Sequence, residues 1–384
     1  MASSPTRRAV LSAPFFLTAR AKAAPRARIH SIRAISHQPA YYPAWATLAQ
    51  RRSGELVVSY SGGREGHVCP FGRVEMMRSF DRGETWSWPQ VLMDTPIDDR
   101  DSGIVETARG SLLATTFTSV AFEKVFQEAK GWDADRVERW KAVYRSTTAE
   151  QRQSLLGAWM VRSTDSGHLW SQPYRVPMMS PHGPILLRDG SLLYAGLEYP
   201  GPTRRVGAWT STDDGLTWKL LGEIPTRPGD DSEHYHELHA VETASGKLIA
   251  QIRNHNKTNE RETLQSESSD GGKTWSTPRA IGVWGLPSHL IRLRDGRLLM
   301  SYGYRRPPRG NHARISEDEG RTWSEPIVLS DDGTGDLGYP STVQLPSGDL
   351  LTIWYEARRS GSTAVKLPDP PLSVLRQARW SLEG

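Results

Sequence analysis

"SEDEGRTW", Ser316 to Trp323, sets three acids, a glycine and a tryptophan within eight residues, and its reading decides the fold. Taken alone, Asp318 has the look of a catalytic carboxylate. The same pattern, S-x-D-x-G-x-x-W, returns as "SFDRGETW" from Ser79, "STDSGHLW" from Ser163, "STDDGLTW" from Ser211 and "SSDGGKTW" from Ser268. One active site has no use for five copies, so the motif is scaffold. Each part has a task in a tight turn. The Ser and Asp oxygens accept bonds from turn N–H groups, the glycine takes a backbone conformation closed to other residues, and the tryptophan supplies a large apolar plate for packing between units.

A second repeat interleaves with the first: "RRSGELVVSY", "TARGSLLATT", "LRDGSLLYAG", "TASGKLIAQI", "LRDGRLLMSY" and "LPSGDLLTIW". Each is a glycine turn between strand-like apolar runs, at Gly54, Gly110, Gly190, Gly246, Gly296 and Gly348. The spacing is 50 to 56 residues except from Gly110 to Gly190. Six copies predict an all-β fold, a six-bladed β-propeller over residues 28–384 with four antiparallel strands, a to d, in each blade. The glycine turn joins a to b and the Ser-Asp-Gly-Trp turn joins c to d. The sixth blade lacks the latter motif. "RARIHSIRAIS" near residue 30 is expected to be its outer strand, beside "SVLRQARWSL", which closes the ring and removes exposed edges.

The extra length in blade two, residues 117–158, includes "DADRVERWKAVYRSTTAEQRQSLLGAW", rich in helix formers with apolar residues at helical spacing. It predicts a helical insertion in the b–c loop, either a lid over a central pocket or a packed excursion. Arg7, Arg8, Arg20 and Lys22 lie in the first 24 residues without any acid, and setting them aside lowers the net charge from +5 to +1. The basic balance therefore belongs to a leader and gives no reason to expect a nucleic-acid partner. That leader, "TRRAVLSAPFFLTARAKAA", has paired arginines, a short apolar run and small residues at Ala23 and Ala24, as an export signal of the twin-arginine or Sec type would. An exported protein, periplasmic or secreted, is the expectation; a disordered basic tail is the alternative. No later stretch approaches the ~18 apolar residues of a membrane span. With one cysteine, Cys69, no internal disulfide framework exists and a zinc site with His67 is improbable.

Because strand direction alternates, both kinds of turn share one end of each blade. The other end carries the starts of the a strands and the b–c loops. The a-strand starts hold Tyr41, Tyr42, Asp98 to Asp101, His182, Glu237 with His239, Ser288 with His289, and Tyr339. The b–c loops add Arg64, Glu65, His67, Glu198, Arg253 with His255, Arg305, Arg306, Arg309, and Glu356 with Arg358. Residues at one blade position meet around one axial cavity. Bland readings stand beside this one: Glu237 with Arg253 as a structural ion pair, His182 as a turn cap.

With these residues in view the chain resembles the sialidase superfamily over about residues 37–360, whose six-bladed propellers carry such Asp-box turns. In "HELHAVETASGKLIAQIRN", Glu237, Glu242, Gly246 and Arg253 reproduce the spacing of the sialidase segment that supplies a buried glutamate and one arginine of a carboxylate-binding triad. In "GYPSTVQLPSGDLLTIWYE", Tyr339 and Glu356 resemble the family's nucleophilic tyrosine and the later glutamate that steadies an arginine. Arg309, with Arg305 and Arg306 as competitors, suits the third triad arginine. The resemblance implies an exo-glycoside hydrolase acting on a terminal acidic sugar, with Tyr339 attacking the anomeric carbon, Glu237 taking its proton, and no cofactor. The chemistry is coherent. A free tyrosine has a pKa of about 10 and needs a carboxylate to draw off its proton. An anionic sugar disfavours a carboxylate nucleophile, and arginines hold a carboxylate through paired charge-assisted bonds.

Two departures leave the sugar open. The stretch "HQPAYYPAWATL", where the family has its first triad arginine, contains none, and Arg64 is the replacement candidate. The acid aspartate is missing from "GGREGHVCPFGRVEMMRS", which leaves His67, Glu65 or Asp101 as proton donor. The expected site is therefore Tyr339, Glu237, Asp101 and His67 for catalysis, with Arg64, Arg253, Arg305, Arg309, His182, His289 and Glu356 around the substrate. A uronate polysaccharide lyase, with Tyr339 or a histidine as base, and a non-catalytic glycan-binding propeller are the competing readings. The oligomeric state is not written in the sequence.

Overall fold

The computed structural model describes residues 25–383 apart from 39, 202–203, 258–261, 334 and 358–371. The expected export signal, residues 1–24, and Arg358 lie outside the described residues. The first strand, β1 (Ala27–Ala34), finds its partner only at the far end of the chain. Blade one is β2 (Ala44–Gln50), β3 (Leu56–Gly62), β4 (Arg73–Ser79) and β5 (Gln90–Met93). Blade two is β6 (Asp98–Glu106), β7 (Leu112–Ser119), β8 (Ala158–Ser163) and β9 (Tyr174–Val176). In blade three β10 (Met178–Met179) and β11 (Ile185–Leu186) both pair with β12 (Leu192–Glu198), followed by β13 (Val206–Ser211) and β14 (Lys219–Glu223).

Blade four is β15 (Tyr235–Glu242), β16 (Leu248–Asn254), β17 (Glu262–Ser268) and β18 (Arg279–Trp284). Blade five is β19 (Ser288–Arg292), β20 (Leu298–Tyr304), β21 (Arg309–Ser316) and β22 (Ile327–Gly333). Blade six is β23 (Leu337–Gln344), β24 (Leu350–Ala357) and β25 (Ser373–Leu382), completed by β1 on its outer edge. The antiparallel register runs from Ala27 opposite Leu382 to Ala34 opposite Arg376. The chain is thus a six-bladed β-propeller closed by its own two ends.

Six apolar cores fill the six gaps between blades. One joins Leu351 and Tyr355 of blade six to Val58 and Tyr60 of blade one, and the next joins Val57 and Met76 to Ile104 and Val161 of blade two. The remaining gaps follow in order: Met160 with Tyr194, Leu193 with Ile252, Ile249 with Met300, and Leu299 with Trp380. Sheets buried on both faces read as apolar runs rather than strict alternation, as in β3, where every residue is buried.

The repeated turns behave as their composition demands. The Ser316 hydroxyl accepts the Gly320 N–H at 2.8 Å, while Asp318 accepts the Thr322 N–H at 2.9 Å and its hydroxyl at 2.5 Å. Gly320 has φ +81°, and a Cβ there would run into Ile249. Trp323 is buried between blades four and five and donates its indole N–H to Gln265 at 3.1 Å.

The sequence differs from the structure at one strand and one loop. A continuous first strand in blade three is replaced by two short pieces, because Pro181 and Pro184 in "SPHGP" offer no N–H to the ladder. The insertion in blade two forms α1 (Phe122–Gln127), α2 (Ala134–Arg145) and α3 (Ala149–Leu155), shorter at both ends than 117–158 because β7 continues to Ser119 and β8 begins at Ala158. Asp133 caps α2 through Arg136 N–H, and Thr148 with Gln151 forms a capping box on α3. Phe122 and Trp140 pack these helices onto Cys69 and Ile97, beside the b–c loop of blade one. Among the described residues no helix is long and apolar enough to cross a membrane.

Candidate active site

One local device recurs at the axis. The first strands of blades one, two, four and six each carry an extra residue relative to the second strand, between Ala44 and Thr47, Arg100 and Gly103, His236 and His239, and Gly338 and Ser341. At each bulge a non-glycine residue takes positive φ: Trp45 at +54°, Asp101 at +44°, Glu237 at +43° and Tyr339 at +53°. Such bulges re-aim a side chain, and strain of this kind gathers at functional sites.

Three of these four residues form the centre. The Tyr339 hydroxyl donates to Glu237 Oε1 at 2.6 Å, and Arg253 Nη1 donates to Glu237 Oε2 at 2.6 Å and to the Tyr339 oxygen at 3.2 Å. Burial pushes Glu237 up, but Arg253 and the tyrosine hydroxyl outweigh it and hold the carboxyl below its usual range. Tyr339 is held well above its ordinary value, first by burial and then by Glu237. The resting pair is therefore a neutral phenol against a carboxylate. Asp101 is pushed up to about 7 by burial, with Arg100 opposing and Glu237 adding to the rise. Its carboxyl has no hydrogen-bond partner among the described residues. The aromatic ring at the fourth bulge, Trp45, stands 6.4 Å from that of Tyr339, with Arg64 and Arg100 against it at 4.7 and 4.5 Å.

A cavity of about 590 Å³ has Arg253, Arg305, Arg309, His255 and Asp336 on its wall and meets this centre at Arg253, which bonds both Glu237 and Tyr339. Arg305 is steadied by Asp336 at 3.2 Å, by the Leu337 carbonyl at 2.8 Å and by the Tyr355 hydroxyl at 3.3 Å. Asp336 also accepts from Tyr42 at 2.6 Å and meets His67 Nδ1 at 2.7 Å. Burial opposes ionisation of Asp336, but His67, Arg305 and Tyr42 together hold it well below the usual carboxylate range. Arg309 has no ion-pair partner among the described residues. Three guanidinium groups stand on this wall, Arg253 paired with Glu237 and Arg305 with Asp336, which leaves the charge of Arg309 uncompensated among the described residues.

The remaining expected residues lie elsewhere. Arg64 is fully buried, clamped by Asp98 at 2.5 Å and donating to Ser61 and to the Gly66 and His67 carbonyls. It braces the b–c loop and cannot replace the missing triad arginine. Glu356 pairs with Arg376 at 2.6 Å and Trp354 at 2.8 Å, away from the cavity, because the alternation of β24 turns it toward the blade-five side. Asp336 does the steadying instead. His182 and His289 are buried beneath Tyr339 with His239, ring centroids 4.5 to 5.4 Å apart, and do not line the cavity. Glu65, the third donor candidate, is held by Arg139 at 2.8 Å and Trp140 at 3.0 Å. No helix of the insertion reaches this cavity's wall, so the insertion is a packed excursion with respect to it. Sequence reasoning missed Asp336 and Tyr355 as parts of the site and placed Tyr42 at the cavity end without giving it a role; Asp336 stands three residues before Tyr339, where an acid at a strand start could have been noticed.

Comparison with known proteins agrees with this architecture. Residues 54–352 match the BNR repeat-like domain. A sialidase of Bacteroides fragilis (strain YCH46) is 26% identical over 240 residues, covering 55% of this chain and 41% of the relative. The chain spans less than half the length of the curated relatives it matches. Among solved structures, a Dyadobacter fermentans DSM 18053 protein described as of unknown function superposes with a TM-score of 0.73 at 22% identity, over 93% of this chain and 99% of that one. The NanB sialidase from Streptococcus pneumoniae gives 0.65 at 14% identity, over 91% and 70%. These structural likenesses establish the fold. With most of its length matched by one family model and its blades, turns and ring closure in place, the chain belongs to the BNR repeat-like domain family, as a divergent sialidase-like propeller.

Proposed function

We propose that this propeller is an exo-glycoside hydrolase that removes a terminal acidic sugar by a retaining route. The observation that carries the reading is the bond of 2.6 Å from Tyr339 to Glu237, with Arg253 bridging both groups. Arg253, Arg305 and Arg309 bind the sugar carboxylate. Tyr339 Oη attacks the anomeric carbon as its proton passes to Glu237, and the glycosidic C–O bond breaks with its electron pair leaving on oxygen. Asp101 supplies the proton to that oxygen, since a carboxyl near 7 is still partly protonated at neutral pH. Water then attacks the tyrosyl glycoside, giving a proton to Asp101, and the phenolate regains its proton from Glu237. The low identity of the sialidase relatives leaves the sugar to experiment.

The test is sugar release over a panel of sialosides, uronides and neutral glycosides. Wild type should act on an acidic member of the panel, and Tyr339→Phe should lower kcat by about a thousandfold or more. Blank wild-type reactions, or an equally active variant, would overturn the reading. A uronate lyase is the second reading, favoured by the His67–Asp336 pair at 2.7 Å, which puts a second candidate base at the site. A product absorbing in the ultraviolet would select it and exclude hydrolysis.

A further inference from the structure

A second cavity, about 510 Å³, opens against the b–c loop of blade one. Its wall includes Tyr41, Phe71, Arg73, Asp94, Arg139 and Ser146, so it lies between blade one, the link to blade two and helix α2. The b–c loop of blade one links it to the first cavity through one contact. Gly63, Glu65 and Phe71 of that loop face the second cavity, while His67 of the same loop bonds Asp336 on the wall of the first. Tyr41 adjoins Tyr42, whose hydroxyl also reaches Asp336.

The wall chemistry differs from that of the first cavity. Both cations are committed: Arg73 donates to Glu75 at 2.7 Å and Arg139 to Glu65 at 2.8 Å. Asp94 has no hydrogen-bond or salt-bridge partner among the described residues, which disfavours an anionic ligand. Burial pushes the Asp94 carboxyl up while Arg73 opposes the rise, and in either protonation state a carboxyl with both oxygens open can bond neighbouring hydroxyls. Tyr41 leaves 38% of its surface exposed, a flat apolar face with a polar tip. The volume falls within the about 300–1,000 Å³ of small-ligand sites. Acid, aromatic face and spare guanidinium N–H groups together match a neutral polyol ring.

We propose that this cavity is a subsite for the neutral sugars on the leaving-group side of the scissile bond, created by the helical insertion. The proposal rests on the reading of the first cavity as a glycan-cleaving site, and it is tested in a way that separates the two. Tyr41→Ala and Asp94→Asn are compared with wild type on two substrates sharing the cleaved acidic sugar, one an aryl glycoside and one carrying lactose as leaving group. The variants should raise KM for the lactose-bearing substrate about tenfold and leave kcat/KM for the aryl glycoside unchanged. Equal effects on both substrates, or none on either, overturn the subsite while leaving the hydrolase standing. Should no substrate turn over, lactose and maltose are titrated into wild type and Asp94→Asn and followed by ligand-observed NMR. Binding lost in the variant supports the subsite on its own, and wild type binding neither disaccharide overturns it.

Discussion

At the residue scale three side chains at strained bulges, Tyr339, Glu237 and Asp101, form the proposed centre, and Asp101 is the one expected to set the pH response. Asp101 is pushed up to about 7 because burial removes its water, with Glu237 nearby adding like charge. A general acid must hold its proton, so activity should be present below about 7 and fall as the pH rises through that value. Asp101→Asn should lower kcat by about 10²–10⁴ and flatten the alkaline limb, whereas His67→Ala should keep the limb. A limb that follows His67 instead would assign the proton to the histidine. Tyr339, Glu237 and Arg253 were legible in sequence because their spacing is fixed by strand register. Arg64 and Glu356 were not, because direction decides their fate: Arg64 turns out of its loop onto Asp98 of β6 and Trp45 of β2, and Glu356 leaves β24 on the face turned to blade five. No residue pattern announces which way a side chain leaves a loop.

At the element scale, turns and bulges divide the work. In blades one to five the Ser-Asp-Gly-Trp turns lie at the far end from the cavity; their Ser and Asp bonds stay within the turn, while the tryptophan reaches out of it, as Trp323 does to Gln265. Asp318→Ala removes acceptors for the Thr322 N–H and hydroxyl. It should cost about 1–3 kcal/mol in denaturant unfolding with kcat unchanged. A fall in kcat without loss of stability would place Asp318 in the chemistry after all. These turns made the blades countable from sequence, since glycine and aspartate punctuate strands strongly. The bulges were invisible there, because an extra residue in one strand leaves no compositional mark, and so was the break in the first strand of blade three until its prolines met a ladder. The helices were legible as helices, but where they dock follows from Trp140 and Phe122 packing against Cys69, a tertiary contact.

At the scale of the whole molecule, the axis holds three buried histidines that stay uncharged. Burial depresses all three, His239 to about 3, and His239 and His289 accept backbone N–H groups at Nδ1. An unfolded histidine binds its proton near 6.5. Below that pH the unfolded chain holds more protons, so the stability is present above about 6.5 and lost as the pH falls toward the folded values. His289→Gln should make unfolding free energy less steep between pH 6.5 and 4, by up to about 1.4 kcal/mol per pH unit for one proton. An unchanged slope would mean that His289 is charged in the fold. The ring that encloses these histidines has one seam, the antiparallel pairing of β1 with β25, where Ala27 faces Leu382 and the Glu383 N–H reaches the Arg26 carbonyl at 2.8 Å. Tension applied to the two ends of the ring therefore meets the ladder at its tip and parts it one rung at a time, like a zip. The ring that resists heat through six cores resists pulling only through whichever rung is next, and its mechanical strength is that of a seam rather than of a fold.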